Sequence, residues 1–81
     1  PFDVHIDMIP NPTTSDITIH APEDQVIRNI HLFDSRGMLV NRYESIDNTD
    51  FEISLINKLP GMYILQIQFD QGITARQILV H

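Results

Sequence analysis

The side chains best suited to chemistry are few and scattered. Four histidines, at 5, 20, 31 and 81, could ligate a transition metal. No two stand at i+2 along a strand or i+4 along a helix, the close pairing from which structural zinc sites draw their ligands, so they read as separate surface histidines and no metal site is expected. Asp47, Asn48 and Asp50 are the nearest approach to a calcium loop, yet the run lacks the alternating acidic spacing and the glycine such a loop needs; it reads as a solvated turn, as does Glu23-Asp24. Ser15, Ser35, Ser45 and Ser54 fall in turns or on strand faces with no elbow motif around them, and no glycine-rich loop opens a helix to cradle a phosphate. No catalytic residue and no cofactor are therefore expected. Sugar-binding sandwiches present flat aromatic platforms, whereas this chain has 2 Tyr, 4 Phe and no Trp, leaving Tyr43 as the one ring to consider.

Composition narrows the classes further. With 81 residues the chain is one small domain. It has no cysteine, so neither disulfides nor thiolate metal sites can support the core, and packing with sheet hydrogen bonds must do so. The formal charge of -6, with no stripe of Lys or Arg, opposes a phosphate backbone and excludes nucleic acid as the expected partner. No apolar run approaches the ~18 residues of a membrane span, and no signal-peptide pattern opens the sequence. The chain starts at Pro1 rather than Met and is read as a piece of a longer protein.

Positioning of these residues follows from period-2 patterning. Phe2, Val4, Ile6 and Met8 alternate with Asp3, His5 and Asp7, predicting a first strand with one buried face. Pro10-Asn11-Pro12 interrupts any ladder, and Ile17 and Ile19 mark a second strand. After Ala21-Pro22 a single helical turn over 23–28 is allowed. Residues 29–33 and 38–43 flank Asp34-Ser35-Arg36-Gly37, a hairpin turn with an Asp cap and a glycine for positive φ. Phe51, Ile53 and Leu55 form a fifth strand. Tyr63, Leu65, Ile67 and Phe69 alternate with Met62, Ile64, Gln66 and Gln68 in the strongest strand pattern, expected at the centre of a sheet. Asp70-Gln71-Gly72 suits a three-residue hairpin loop, with Gly72, like Gly61, at positive φ, and residues 73–80 return as the last strand. Seven short strands at intervals of about 8–12 residues, with no amphipathic helix, define an all-β, seven-stranded antiparallel immunoglobulin-like β-sandwich. In the last strand, Ile78-Leu79-Val80 is apolar on both faces. Either the strand is covered on both sides, or its end is a recognition strand that offers backbone and side chains to a partner.

Four segments in order carry a family resemblance. Ile9-Pro10-Asn11-Pro12-Thr13 with Ile17-Thr18-Ile19, the hairpin from Ile30 through Asp34 and Gly37 to Val40, Leu59-Pro60-Gly61-Met62-Tyr63 with Leu65 and Ile67, and Gly72 to Val80 together resemble the type A C-terminal sorting domains of the type IX secretion system. The resemblance covers the chain from Ile9 to its end. It implies that residues 1–81 are a single C-terminal sorting domain of a larger secreted protein, an address rather than an enzyme. The implied partners are an outer-membrane translocon, a barrel-type shuttle and a sortase-like peptidase that removes the domain. The implied route runs through the periplasm to the outer membrane and cell surface or the medium.

In that family recognition is concentrated toward the last strand, which here maps onto Gly72, Arg76, Gln77, Ile78, Leu79, Val80 and His81. The family places lysines in this segment, where this chain has Arg76 followed by Gln77 and ends on His81; ammonium and guanidinium groups differ in geometry, so a contact made by one is not automatically kept by the other. Pro10, Asn11, Pro12, Asp34, Gly37, Gly61 and Tyr63 are the motif positions. The residues themselves explain these as scaffold: prolines stiffen a crossing, glycines make turns, and Tyr63 packs inward with its hydroxyl bonded near a corner. An accessory sandwich binding carbohydrate or adhesive protein is the alternative. Exposed edges make strand exchange between two copies an expectation for the isolated domain.

Overall fold

The computed structural model describes residues 4–81. Its strands are β1 (Asp7–Ile9), β2 (Asp16–His20), β3 (Ile27–Asp34), β4 (Leu39–Tyr43), β5 (Asp50–Ser54), β6 (Gly61–Phe69) and β7 (Gly72–Val80). They form a three-stranded sheet in the order β1-β2-β5 and a four-stranded sheet in the order β4-β3-β6-β7, with every strand pair antiparallel. The fold is an immunoglobulin-like β-sandwich, as the patterning predicts.

Alternation decides which side chains meet between the sheets. Ile17 and Ile19 of β2 and Ile53 of β5, continued by Leu55, face Ile30 and Leu32 of β3, Leu65, Ile67 and Phe69 of β6, and Ile78 and Val80 of β7, all of them buried. β6 lies between β3 and β7, so residues 63–69 are paired on both sides and its inward set is the middle of the core. Tyr63 starts this set, and its hydroxyl donates to Leu59 O at 2.6 Å. The bond ties the β5–β6 connection to the strand and is the tyrosine corner of immunoglobulin-like sandwiches.

Several local readings differ from the structure. The first strand is expected from Phe2, which lies outside the described residues; among the described ones it is paired over Asp7–Ile9 and not at Val4 to Ile6, although Val4 is buried and Ile6 and Met8 pack against the core, so the inward set is kept where the ladder is not. Residues 23–28 form no helical turn. Gln25 N–H donates to Pro22 O in a tight turn, and β3 begins at Ile27 because Ile27 fills the core. The β6–β7 loop has two residues, Asp70 and Gln71, since Gly72 already pairs with Phe69. Gly72 does not take positive φ; Gly37 at 84° and Gly61 at 145° do, as their turns predict, and Ser45 and Asp47 in the β4–β5 connection join them.

One ion cluster fastens the end of the sandwich that carries this β6–β7 loop. Arg28, beside the β3 bulge, donates from Nε and Nη2 to both oxygens of Asp70 at 2.9 Å each, and from Nη1 to Asp47 at 3.0 Å. The paired guanidinium holds the Asp70 carboxyl below its usual range. A carboxyl with a depressed folded-state pKa contributes stability that is present above its unfolded value of 3.8 and is lost as pH falls through the folded value.

Two outcomes follow. Leu65→Ala, which empties a fully buried site, lowers stability by about 2–5 kcal/mol in urea unfolding. Asp70→Asn lowers the melting temperature near neutral pH, and its deficit against the parent shrinks as melts are repeated below about pH 4; a deficit independent of pH refutes the ion-pair account.

Candidate functional site

In an antiparallel chain the connections alternate between the two ends. The β1–β2, β3–β4 and β5–β6 connections and the end of β7 therefore share one pole, while the β2–β3, β4–β5 and β6–β7 connections share the other. The four segments that carry the resemblance thereby meet: Pro10 to Thr13, the Asp34–Gly37 turn, Leu59 to Tyr63, and the terminal stretch of β7. Nothing in the linear order of the residues displays this convergence.

β7 is the edge of the four-stranded sheet, paired with β6 on one side. Its outward polar groups toward the C-terminus are taken up by the β1–β2 connection, which leans across from the other sheet. Asn11 Nδ2 donates to Gln77 O and Asn11 Oδ1 accepts from Leu79 N–H, both at 3.2 Å. Thr13 N–H donates to Leu79 O, and His81 N–H donates to Thr13 O, both at 2.9 Å. The Asn11 side-chain amide thus stands in for one backbone unit of a neighbouring strand, and Thr13 continues the row as a parallel bridge to Val80. Thr13 is itself buried, its hydroxyl donating to Asp16 O at 2.7 Å and accepting from Ser15 N–H at 3.2 Å. The Ile9–Pro10 and Asn11–Pro12 peptide bonds are cis.

Bonds from residues 77, 79 and 81 point to this clamp, so by the period of two residues 73 and 75 also point outward. Arg76 faces inward between the sheets. It donates to Val4 O at 2.8 Å, to Thr74 Oγ1 at 2.6 Å and to Ala75 O at 2.9 Å, and is half-buried. That leaves the Ile73 amide and carbonyl and the Ala75 and Gln77 amides as the open part of the β7 edge among the described residues. Ile78 and Val80 are in the core, whereas Gln77, the half-buried Leu79 and His81 are the terminal residues that reach outward. The residues assigned to recognition from sequence thus divide by face.

The Asp34 turn supplies the next part of the pole. Asp34 Oδ1 accepts from the backbone of Arg36 and Met38 at 2.9 and 3.1 Å, and Oδ2 accepts from Arg36 Nη2 at 2.9 Å. The Arg36 contact, then the backbone donors, hold its carboxyl below the usual range, so it is ionised and spoken for. Gly37 at positive φ completes the turn. Asp34 pairs with Tyr63 across β3 and β6, which brings the turn beside the β5–β6 connection.

Groups able to do other chemistry are placed apart or occupied. His5 bonds Asp7 and His20 bonds Asp50 on the outer side of the small sheet, while His31 packs edge-on to Phe33 on the outer side of the large one. Among the described residues no three His, Asp or Glu side chains gather to hold a metal ion. Asp47 is engaged by Arg28, and Asn48 Oδ1 caps Asp50 N–H. Tyr43 packs against Phe51 across the two sheets at 5.4 Å, and burial raises its pKa. It is therefore not a flat sugar platform.

Fold and site define a class: a small immunoglobulin-like sandwich whose shared motifs build one pole and a clamped terminal strand, with no catalytic constellation among them. A family model, the secretion system C-terminal sorting domain, matches residues 7–81. The chain belongs to that family, whose members act as sorting signals for type IX secretion, for export to the cell surface or the medium. The family is not a catalytic one. No curated protein matches the chain.

Asn11→Ala removes both the donor to Gln77 O and the acceptor of Leu79 N–H. Expected results are faster amide exchange at Leu79 and His81 with unchanged exchange at Leu65, and a stability loss of about 1 kcal/mol in urea unfolding. Protection at Leu79 equal to the parent's refutes the clamp.

Proposed function

We propose that residues 1–81 act as one folded C-terminal address on a larger secreted cargo, read in the periplasm through β7 and the loops beside it. The single observation that carries this reading is the coincidence of the family match with a terminal strand lying at a sheet edge, where its alternate side chains reach outward. The outer-membrane translocon and the barrel-type shuttle are the partners that would read it, and a sortase-like peptidase would remove it on the way to the cell surface. Recognition of Leu79 and His81 uses side chains or displaces Asn11, because the backbone edge beside them is already paired, whereas Gln77 adds an open amide to its side chain. Ile78 and Val80 serve recognition indirectly, by anchoring the strand in the core. Arg76, turned inward to Val4, holds the register of the strand rather than offering a free charge. Strand exchange between isolated copies would require the same release of Asn11 and Thr13.

The test is a periplasmic reporter fused to this domain in a host with type IX machinery. Removing Gln77 to His81 also empties two core positions, so Leu79→Asp, which keeps Ile78 and Val80 in place, is the sharper change. Both are expected to cut the reporter at the cell surface at least about tenfold, the factor lost with one good contact. Surface levels equal to the parent's for both variants would show that β7 is not the part that is read.

A further inference from the structure

The two poles differ in chemistry, and the difference is not needed to build the sandwich. Apolar side chains stand exposed at the pole of the shared motifs: Met38 and Leu39 on the β3–β4 hairpin, and Leu59 and Met62 around the start of β6, with Leu59 80% exposed. Between the two loops lies a shallow cavity of about 280 Å³, lined on one side by Asp34, Ser35 and Arg36 and on the other by the segment from Leu59 to Tyr63. That volume leaves room for a side chain, with Leu59 and Met62 offering it an apolar wall and Asp34 to Arg36 a polar one. The Asp34 cap holds one wall of the cavity and the Tyr63 hydroxyl the other.

Charge is distributed the opposite way. Glu23, Asp24, Asp47 and Asp70 lie at the far pole with Arg28 as their cation, and the Asp7, His20 and Asp50 row adds to them on the small sheet. At the motif pole Asp34 is matched by Arg36, whose side chain is 76% exposed and bonds Asp34 through Nε and Nη2. A basic partner is drawn to the far pole, and a neutral or acidic one is turned toward the motif pole. The exposed apolar patch also adjoins the terminal strand, because Met62 pairs with Leu79.

We infer that the loops around the Leu59–Tyr63 cavity are a second docking surface, which takes an apolar anchor side chain from a protein partner whose surrounding surface is neutral or acidic. This rests on the export reading above and deepens it: the partner that reads β7 also grips the pole beside it. The cavity supplies the anchor pocket, and the Arg36 guanidinium, oriented by Asp34, supplies its polar rim.

The reporter fusion tests this with three variants: Leu59→Asp, Leu59→Met, and Ser45→Asp at the far pole, where an exposed residue at positive φ accepts Asp. Thermal melts of each purified variant verify that it folds. Leu59→Asp is expected to lower surface reporter about tenfold, the effect of one lost anchor, with Leu59→Met and Ser45→Asp at parental levels. If Leu79→Asp and removal of the whole domain block export while Leu59→Asp does not, the second surface is refuted and the export reading stands. If removal of the domain leaves export intact, the export reading itself fails. Two further measurements discriminate among occupants. Sedimentation that shows a dimer abolished by Leu59→Asp, or flotation with phosphatidylglycerol and phosphatidylethanolamine vesicles abolished by the same change, would reassign the pole to a second copy or to a lipid surface and overturn the proposal.

Discussion

The outward edge of β7 is the constraint on which the rest of the domain turns. A strand at the end of a sheet leaves every second amide and carbonyl facing away from its neighbour, and such an edge pairs with whatever extended chain it meets. Here the terminal part is matched by Asn11 and Thr13, which belong to the connection between two strands of the opposite sheet. One set of hydrogen bonds thus closes the edge and fastens the two sheets at a corner, in a chain with no disulfide to do so. The clamp also sets what a partner meets: side chains beyond Gln77 and, among the described residues, open backbone between Ile73 and Gln77.

The shared motifs are scaffold in their chemistry and site in their location. Each has a local explanation: Asn11 as a substitute peptide unit, Asp34 with Gly37 as a capped turn, Gly61 at positive φ, and Tyr63 as a corner bond. Alternation of strand direction then gathers all of them at one end. The same alternation places the Arg28 cluster, with its two carboxylates, at the other. The result is a domain with an apolar, nearly neutral pole beside its terminal strand and an acidic pole remote from it. Such a dipolar arrangement favours end-on approach by the motif pole toward surfaces that carry no excess positive charge.

Strand identity was readable wherever one face is buried throughout. β2, β3, β5 and β6 follow their apolar alternation, because a slip of one residue would turn Ile17 and Ile19, or Leu65 and Ile67, to water. The readings that failed lie where local rules compete with pairing. Gly72 has the composition of a left-handed loop residue but is drawn into the ladder opposite Phe69. Pro22 can open a helix, yet the need to bury Ile27 pulls the chain straight into β3. At β1, core contacts of Val4 and Ile6 persist without a ladder, since burial and pairing are separate requirements. Arg76 falls by sequence in the segment assigned to recognition, while its reach to Val4 O depends on a segment 72 residues earlier, which no local pattern displays.

By itself the sequence determined the class of fold, the inward face of most strands and the hairpin at Asp34 to Gly37. These are properties of residues near one another along the chain, where period and turn chemistry act. Only the tertiary structure decided which strand lies at the edge, what covers that edge, and which loops share a pole with it. Those follow from contacts between residues far apart in the chain, such as Asn11 with Leu79 at a separation of 68, whose energy depends on the packing of two sheets and has no counterpart in local sequence.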